Sequence, residues 1–106
     1  MSEASLQRYF KREADKEKIF WRKIKFDGVR GCPDVLVAHK GRVMLVELKN
    51  PNQRGQLSKL QARTIDRLQE AGVEVPIIDN KEGIDELIRD LTRTQTAGRR
   101  NTAVQS

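Results

Sequence analysis

Apolar residues recur along the chain with two different periods, and the switches between them mark the elements. Leu6, Phe10 and Ala14 stand four apart, which predicts a first helix with one apolar stripe, capped at its start by Ser2. Glu3 stands three residues before Leu6 and seven before Phe10, so a carboxylate projects from that same stripe toward the body of the protein. From Lys18 to Phe26 the pattern changes to alternation, with Phe20, Ile24 and Phe26 on one face of an expected strand. Trp21 is out of phase with them and is expected either to cover the other face or to meet a partner chain. Asp27 to Gly31 reads as a loop. Two apolar runs follow, Val35 to Ala38 and Val43 to Val46, split by His39-Lys40-Gly41-Arg42, where Gly41 can take a positive φ. They predict a hairpin with a solvated His39 at its turn. Both runs are apolar at nearly every position, so the pair should be covered on both faces.

Pro51 to Gly55 reads as a second loop. Ser58-Lys59-Leu60-Gln61 then matches a capping box and opens a helix striped by Leu57, Gln61, Ile65 and Leu68 and ended by Gly72. Val73 to Ile78 is a short strand whose Pro76 lacks an N–H, which points to a sheet edge or a strand end. Asp79 or Asn80 caps a last helix with Ile84, Leu87, Ile88 and Leu91 inward. The order αβββαβα is that of an α/β domain with a small mixed sheet flanked by helices, spanning residues 1–91. Residues 92–106 are polar without apolar periodicity and read as a disordered tail.

Composition narrows the function classes. The chain has 106 residues and a formal net charge of +6, enough for one core and no second one. A single cysteine, Cys32, excludes an intramolecular disulfide, and a single histidine excludes the usual zinc patterns. The longest apolar run, Val43 to Val46, is far from membrane length and no signal segment opens the chain, so a soluble, intracellular (cytoplasmic) protein is expected. The first 26 residues hold eight basic and four acidic side chains. Such an excess suits a phosphate-binding surface, although it also serves solubility.

The hairpin carries the chemistry. If it turns at Lys40-Gly41, opposed residue numbers sum to 81, and Asp34 faces Glu47. Opposed side chains share a face at roughly 4.5–5.5 Å between Cβ atoms, and like charges there repel. A divalent cation between the two carboxylates removes that cost, and Mg²⁺ commonly takes one or two protein carboxylates and completes its octahedron with water and phosphate. Lys49, two residues after Glu47, emerges from the same face, and Glu3 offers a third carboxylate. The plainer reading makes Asp34 the start of a strand after Pro33 and leaves Glu47 and Lys49 at a solvated strand end. Val46 and Leu48, flanking Glu47, favour the buried site.

Gly31-Cys32-Pro33-Asp34, Glu47-Leu48-Lys49 and Leu57-Ser58 with Gln61, before a helix ending at Gly72, together resemble the VRR-NUC (virus-type replication-repair nuclease) domain of the PD-(D/E)xK nuclease superfamily, over residues 3 to about 91. The resemblance implies a restriction-endonuclease-like core. It also implies Mg²⁺ or Mn²⁺ held by Asp34, Glu47, Glu3 and the Leu48 carbonyl, with Lys49 orienting or activating the attacking water and Gln61 assisting. No small-molecule cofactor is expected beyond the metal. Gln61 has a second reading as the capping partner of Ser58. Cys32 departs from the small apolar residue expected there and should behave as a small hydrophobe. The family's stand-alone members are similar to Holliday junction resolvases, which implies a homodimer acting on branched DNA, four-way junctions first. Flap or other structure-specific cleavage and a non-catalytic DNA-binding module are the alternatives. Arg8, Lys11, Arg12, Lys16, Lys18 and Arg30, with Arg99 and Arg100, are the candidate phosphate contacts. For Lys11 to Lys18 the alternative is a solvated helix face of mixed charge.

Overall fold

A computed structural model describes residues 2–50 and 57–93. The chain folds as α1 (Glu3–Lys16), β1 (Phe20–Lys23), β2 (Val35–His39), β3 (Arg42–Leu48), α2 (Lys59–Glu70), β4 (Ile77–Ile78) and α3 (Lys81–Arg93), the order expected from the sequence. Ser2 caps α1 by accepting from the Ser5 N–H at 3.1 Å, and Asn80 accepts from the Gly83 N–H at 2.7 Å at the head of α3. The sheet runs β1-β2-β3-β4, antiparallel through β3 and parallel between β3 and β4. Pro76 leads into the edge strand β4, where its missing N–H costs no ladder bond, and its carbonyl accepts from the Glu47 N–H at 3.0 Å.

The β2–β3 hairpin closes through Lys40 and Gly41, both at positive φ (49° and 86°), the geometry that matches strand twist in a two-residue turn. Its register runs from His39↔Arg42 to Val35↔Val46. Period-two alternation then sorts the pair into two faces. Val35, Val37, Met44, Val46 and Leu48 join Leu6, Phe10 and Ala14 of α1 and Ile84, Leu87, Ile88 and Leu91 of α3 in the main core. On the opposite face Leu45 packs with Ile65 of α2 and Val75, bordered by Ile24, Phe26, Leu36, Leu57 and Leu68. That second face is thinner, and Val43 at its open end is 56% exposed.

Strand β1 corrects the sequence reading. It is four residues long, Trp21 is buried and Phe20 is half exposed. The rings of Phe10 and Trp21 meet edge to face, 5.9 Å between centroids and 89° between planes, and this contact fixes Trp21 toward α1. Ile24 and Phe26 lie beyond the ladder and pack into the second core. Helix α3 extends through Thr92 and Arg93, the Thr92 hydroxyl donating to the Ile88 carbonyl at 3.0 Å. The loop expected at 51–55 and the rest of the expected tail, with Arg99 and Arg100, lie outside the described residues.

Candidate active site

The site forms where the first residue before β2, the end of β3 and the first turn of α2 meet. Asp34 lies one residue beyond the β2–β3 ladder: its N–H donates at 3.0 Å to the carbonyl of Val46, the register partner of Val35, and its Oδ2 accepts from the Leu48 N–H at 2.8 Å. Across the ladder Glu47 is 1% exposed and Lys49 8% exposed, flanked by the core residues Val46 and Leu48. Both N–H groups are tied to the β4 segment, Glu47 to the Pro76 carbonyl and Lys49 to the Ile78 carbonyl, each at 3.0 Å. Backbone bonds on both sides thus hold the acid and the amine rigidly.

Gln61 connects these groups to α2. The capping box is complete, with the Gln61 N–H donating to Ser58 Oγ and the Ser58 N–H donating to Gln61 Oε1, each at 3.1 Å. The same Oε1 accepts from Lys49 Nζ at 3.2 Å, while Gln61 Nε2 donates to Glu47 Oε2 at 2.9 Å. The two roles weighed from sequence are therefore one arrangement: the cap fixes the amide, and the amide fixes the acid and the amine. Lys49 Nζ lies 3.7 Å from Glu47 Oε2.

One carboxylate oxygen is left over. Glu47 Oε1 is buried with no hydrogen-bond partner among the described residues. Burial, reinforced by the charges of Asp34 and Glu3 and opposed by Lys49, pushes the Glu47 carboxyl up to about 7. A buried acceptor next to a second carboxylate is short of positive charge, and a hard divalent cation fits that need. Asp34, Glu47 and the Leu48 carbonyl are the donors available for it. Glu3 stands in the first turn of α1, on the side of the sheet opposite α2, and its charge reaches Glu47. The structure does not gather it with the other two: no three Asp, Glu, His or Cys side chains among the described residues come close enough to hold an ion. Cys32 donates its thiol to the Pro33 carbonyl at 3.1 Å, and burial raises its pKa, so the sulfur stays protonated as a small, inert group.

Gly31 explains why the approach to Asp34 begins with glycine. Its φ is +90°, and a Cβ there would stand 2.8 Å from the Leu60 carbonyl oxygen and 2.9 Å from Thr64 Oγ1. The first turn of α2, which carries Gln61, rests directly on this backbone. Gly31→Ala is expected to destabilise the protein by about 2–4 kcal/mol, combining a left-handed conformation with a backbone clash. Thermal unfolding that changes by less than a few degrees would contradict this packing.

The basic candidates separate. Lys11 pairs with Asp15 at 3.0 Å, Lys16 with Glu13 at 2.9 Å and Arg12 with Glu13 at 3.5 Å, so this part of α1 is a face of mixed charge. Arg8 is exposed and within 3.3 Å of Ser5 Oγ, Lys18 sits at positive φ just beyond α1, and Arg30 is exposed in the loop before Gly31. Arg22 and Lys23, missed in the sequence, stand exposed on β1. No helix among the described residues is long and apolar enough to cross a membrane.

Comparison with known proteins bears on the family and the fold. The sequence profile of the VRR-NUC domain matches residues 2–82. A solved structure described as a VRR_NUC domain superimposes with a TM-score of 0.73 at 26% identity, covering 84% of this chain and 97% of the other. No curated protein matches the chain.

Proposed function

Because the chain belongs to the VRR-NUC domain family, whose fold is of the nuclease type, we propose that it is a divalent-metal-dependent, structure-selective DNA endonuclease that resolves four-way junctions as a homodimer. The observation that carries this reading is the buried, unpartnered Glu47 Oε1 beside Asp34. Asp34, Glu47 and the Leu48 carbonyl would hold the cation. Bound there, Mg²⁺ or Mn²⁺ supplies positive charge over the scissile phosphate and lowers the pKa of the attacking water. Glu47 serves as a ligand in its ionised form. Lys49 presents Nζ to the phosphate or the water, and Gln61 Oε1 sets the direction of that amine. Gln61 Nε2 occupies Glu47 Oε2, which leaves Oε1 for the ion. Glu3 adds negative charge to the same region.

The reading is tested with four-way junction, flap, single-stranded and duplex DNA, each in Mg²⁺, Mn²⁺ or EDTA. Paired nicks in the four-way junction with either metal and none in EDTA are expected, and light scattering should report twice the 12.2 kDa of one chain. Cleavage that persists in EDTA contradicts the metal-dependent mechanism. Cutting confined to flaps moves the substrate to that class, and salt-sensitive binding with no cutting identifies a non-catalytic module.

A further inference from the structure

We propose that the groove between α1 and the outer edge of β1, lined by Gln7, Arg8, Lys11, Trp21, Arg22 and Lys23, seats the phosphate backbone of the DNA leading into the active site. The inference rests on the nuclease reading for the identity of its ligand. The groove measures about 570 Å³ and has four cationic side chains and no acidic one on its walls. A groove of similar size between β4 and α3 sets Glu86 and Asp90 against Arg89 and Arg93, so its charges offset one another. Of these two grooves, the α1–β1 groove is the one whose lining side chains carry a single sign of charge.

Its cations are held in place. Arg22 donates from one terminal nitrogen to the Trp21 carbonyl at 2.8 Å and lies 4.5 Å over the Phe20 ring, which leaves its other N–H groups for a ligand. Lys11 Nζ stands 6.0 Å over the Trp21 ring. The Trp21 indole forms part of the lining, and its Nε1 donor is buried without an acceptor among the described residues. Gln7 adds an amide to the same wall. Lys11 is shared with Asp15, and Arg8, Arg22, Lys23 and the Gln7 amide, with no acidic side chain on the groove wall, suit a chain of phosphates and carry no base readout.

Position links the groove to the chemistry. Lys23 pairs with Val35 in the ladder, and the next residue, Ile24, donates its N–H to the Asp34 carbonyl at 3.1 Å. β1 and β3 are two strand spacings apart, roughly 10 Å. The groove opens on the α1 side of the sheet and Glu47 faces α2, so DNA that follows β1 past Lys23 reaches the site around the end of the sheet where Asp34 lies.

The test uses the whole protein in EDTA, so that binding is read without cleavage, with a short DNA duplex and a four-way junction as probes. Trp21 is the sole tryptophan, so its emission reports the groove directly. In the wild type the emission should change saturably with DNA. In Arg22→Ala/Lys23→Ala the titration should move to at least about tenfold higher DNA concentration, with the slope of log K against log salt reduced by about 2. Arg89→Ala/Arg93→Ala removes the same charge in the other groove and should shift the titration by less than about twofold. Both pairs are exposed, and circular dichroism confirms that each variant is folded. Coincident curves for wild type and Arg22→Ala/Lys23→Ala, or equal shifts in the two double variants, overturn the groove while leaving the nuclease reading intact. A shift specific to Arg22→Ala/Lys23→Ala in a protein that cuts no substrate with metal supports the groove and overturns the nuclease reading alone.

Discussion

Lys49→Ala is expected to slow metal-dependent cleavage by about 10²–10⁴-fold, the range for loss of a positioned proton donor or phosphate contact. Lys49 is nearly buried, its backbone is bonded to Ile78, and its Nζ is placed by Gln61 Oε1. An amine so confined loses little freedom when it meets a phosphate, and among the described residues Lys49 is the cation that pairs with Glu47. The variant should fold, because the bond from the residue 49 N–H to the Ile78 carbonyl is backbone and survives the truncation. It should also keep most of its duplex affinity, which comes from surface cations. Single-turnover cleavage beside a binding titration separates the two effects. A cleavage rate near that of the wild type would remove Lys49 from the reaction.

Glu47→Gln should act in opposite directions on activity and on the stability of the metal-free protein. Loss of the ionisable ligand is expected to lower metal-dependent cleavage by about 10³-fold, or ~4 kcal/mol in the barrier. The stability effect follows from protonation. The Glu47 carboxyl titrates at about 7 in the folded protein against an ordinary value of 4.5, so between these values the native state binds more protons than the unfolded chain. Stability is then undiminished below pH 4.5 and falls as pH rises to about 7, where the buried carboxylate becomes charged. Glutamine carries no such charge. In EDTA the melting temperature of the wild type should therefore fall relative to Glu47→Gln between pH 4.5 and 7.5, and added Mg²⁺ should restore the wild type alone. Parallel melting curves across that window would mean that Glu47 is already satisfied in the folded protein.

The part of the site set by local geometry was legible in the sequence. A two-residue turn at Lys40-Gly41 fixes the register as far as Val35↔Val46, and period two puts Glu47 and Lys49 on one face; Asp34, one residue further, leaves that register by bonding the Val46 carbonyl and reaches β3 through its side chain at the Leu48 N–H. The helical stripes were equally readable, since Ile84, Leu87, Ile88 and Leu91 are all buried. Long-range packing hid the rest. Phe20 and Trp21 place apolar groups on the two faces of one short strand, and the contact of Phe10 with Trp21 turns the Trp21 face inward. Gln61 had two readings because the capping box is local, whereas its bonds to Glu47 and Lys49 depend on where α2 docks, which Gly31 sets. In the basic run of α1, Lys11 and Lys16 pair with acids one turn away, while Arg22 and Lys23 line the α1–β1 groove because β1 is an edge strand, a position that the local pattern does not reveal.

Soaking crystals of the protein with Mn²⁺ and recording anomalous scattering tests most directly whether the buried Glu47 and the half-buried Asp34 bind a catalytic cation. A peak within coordination distance of both Glu47 Oε1 and Asp34 is the predicted result. A map that shows manganese elsewhere on the molecule and none between these two carboxylates would contradict it.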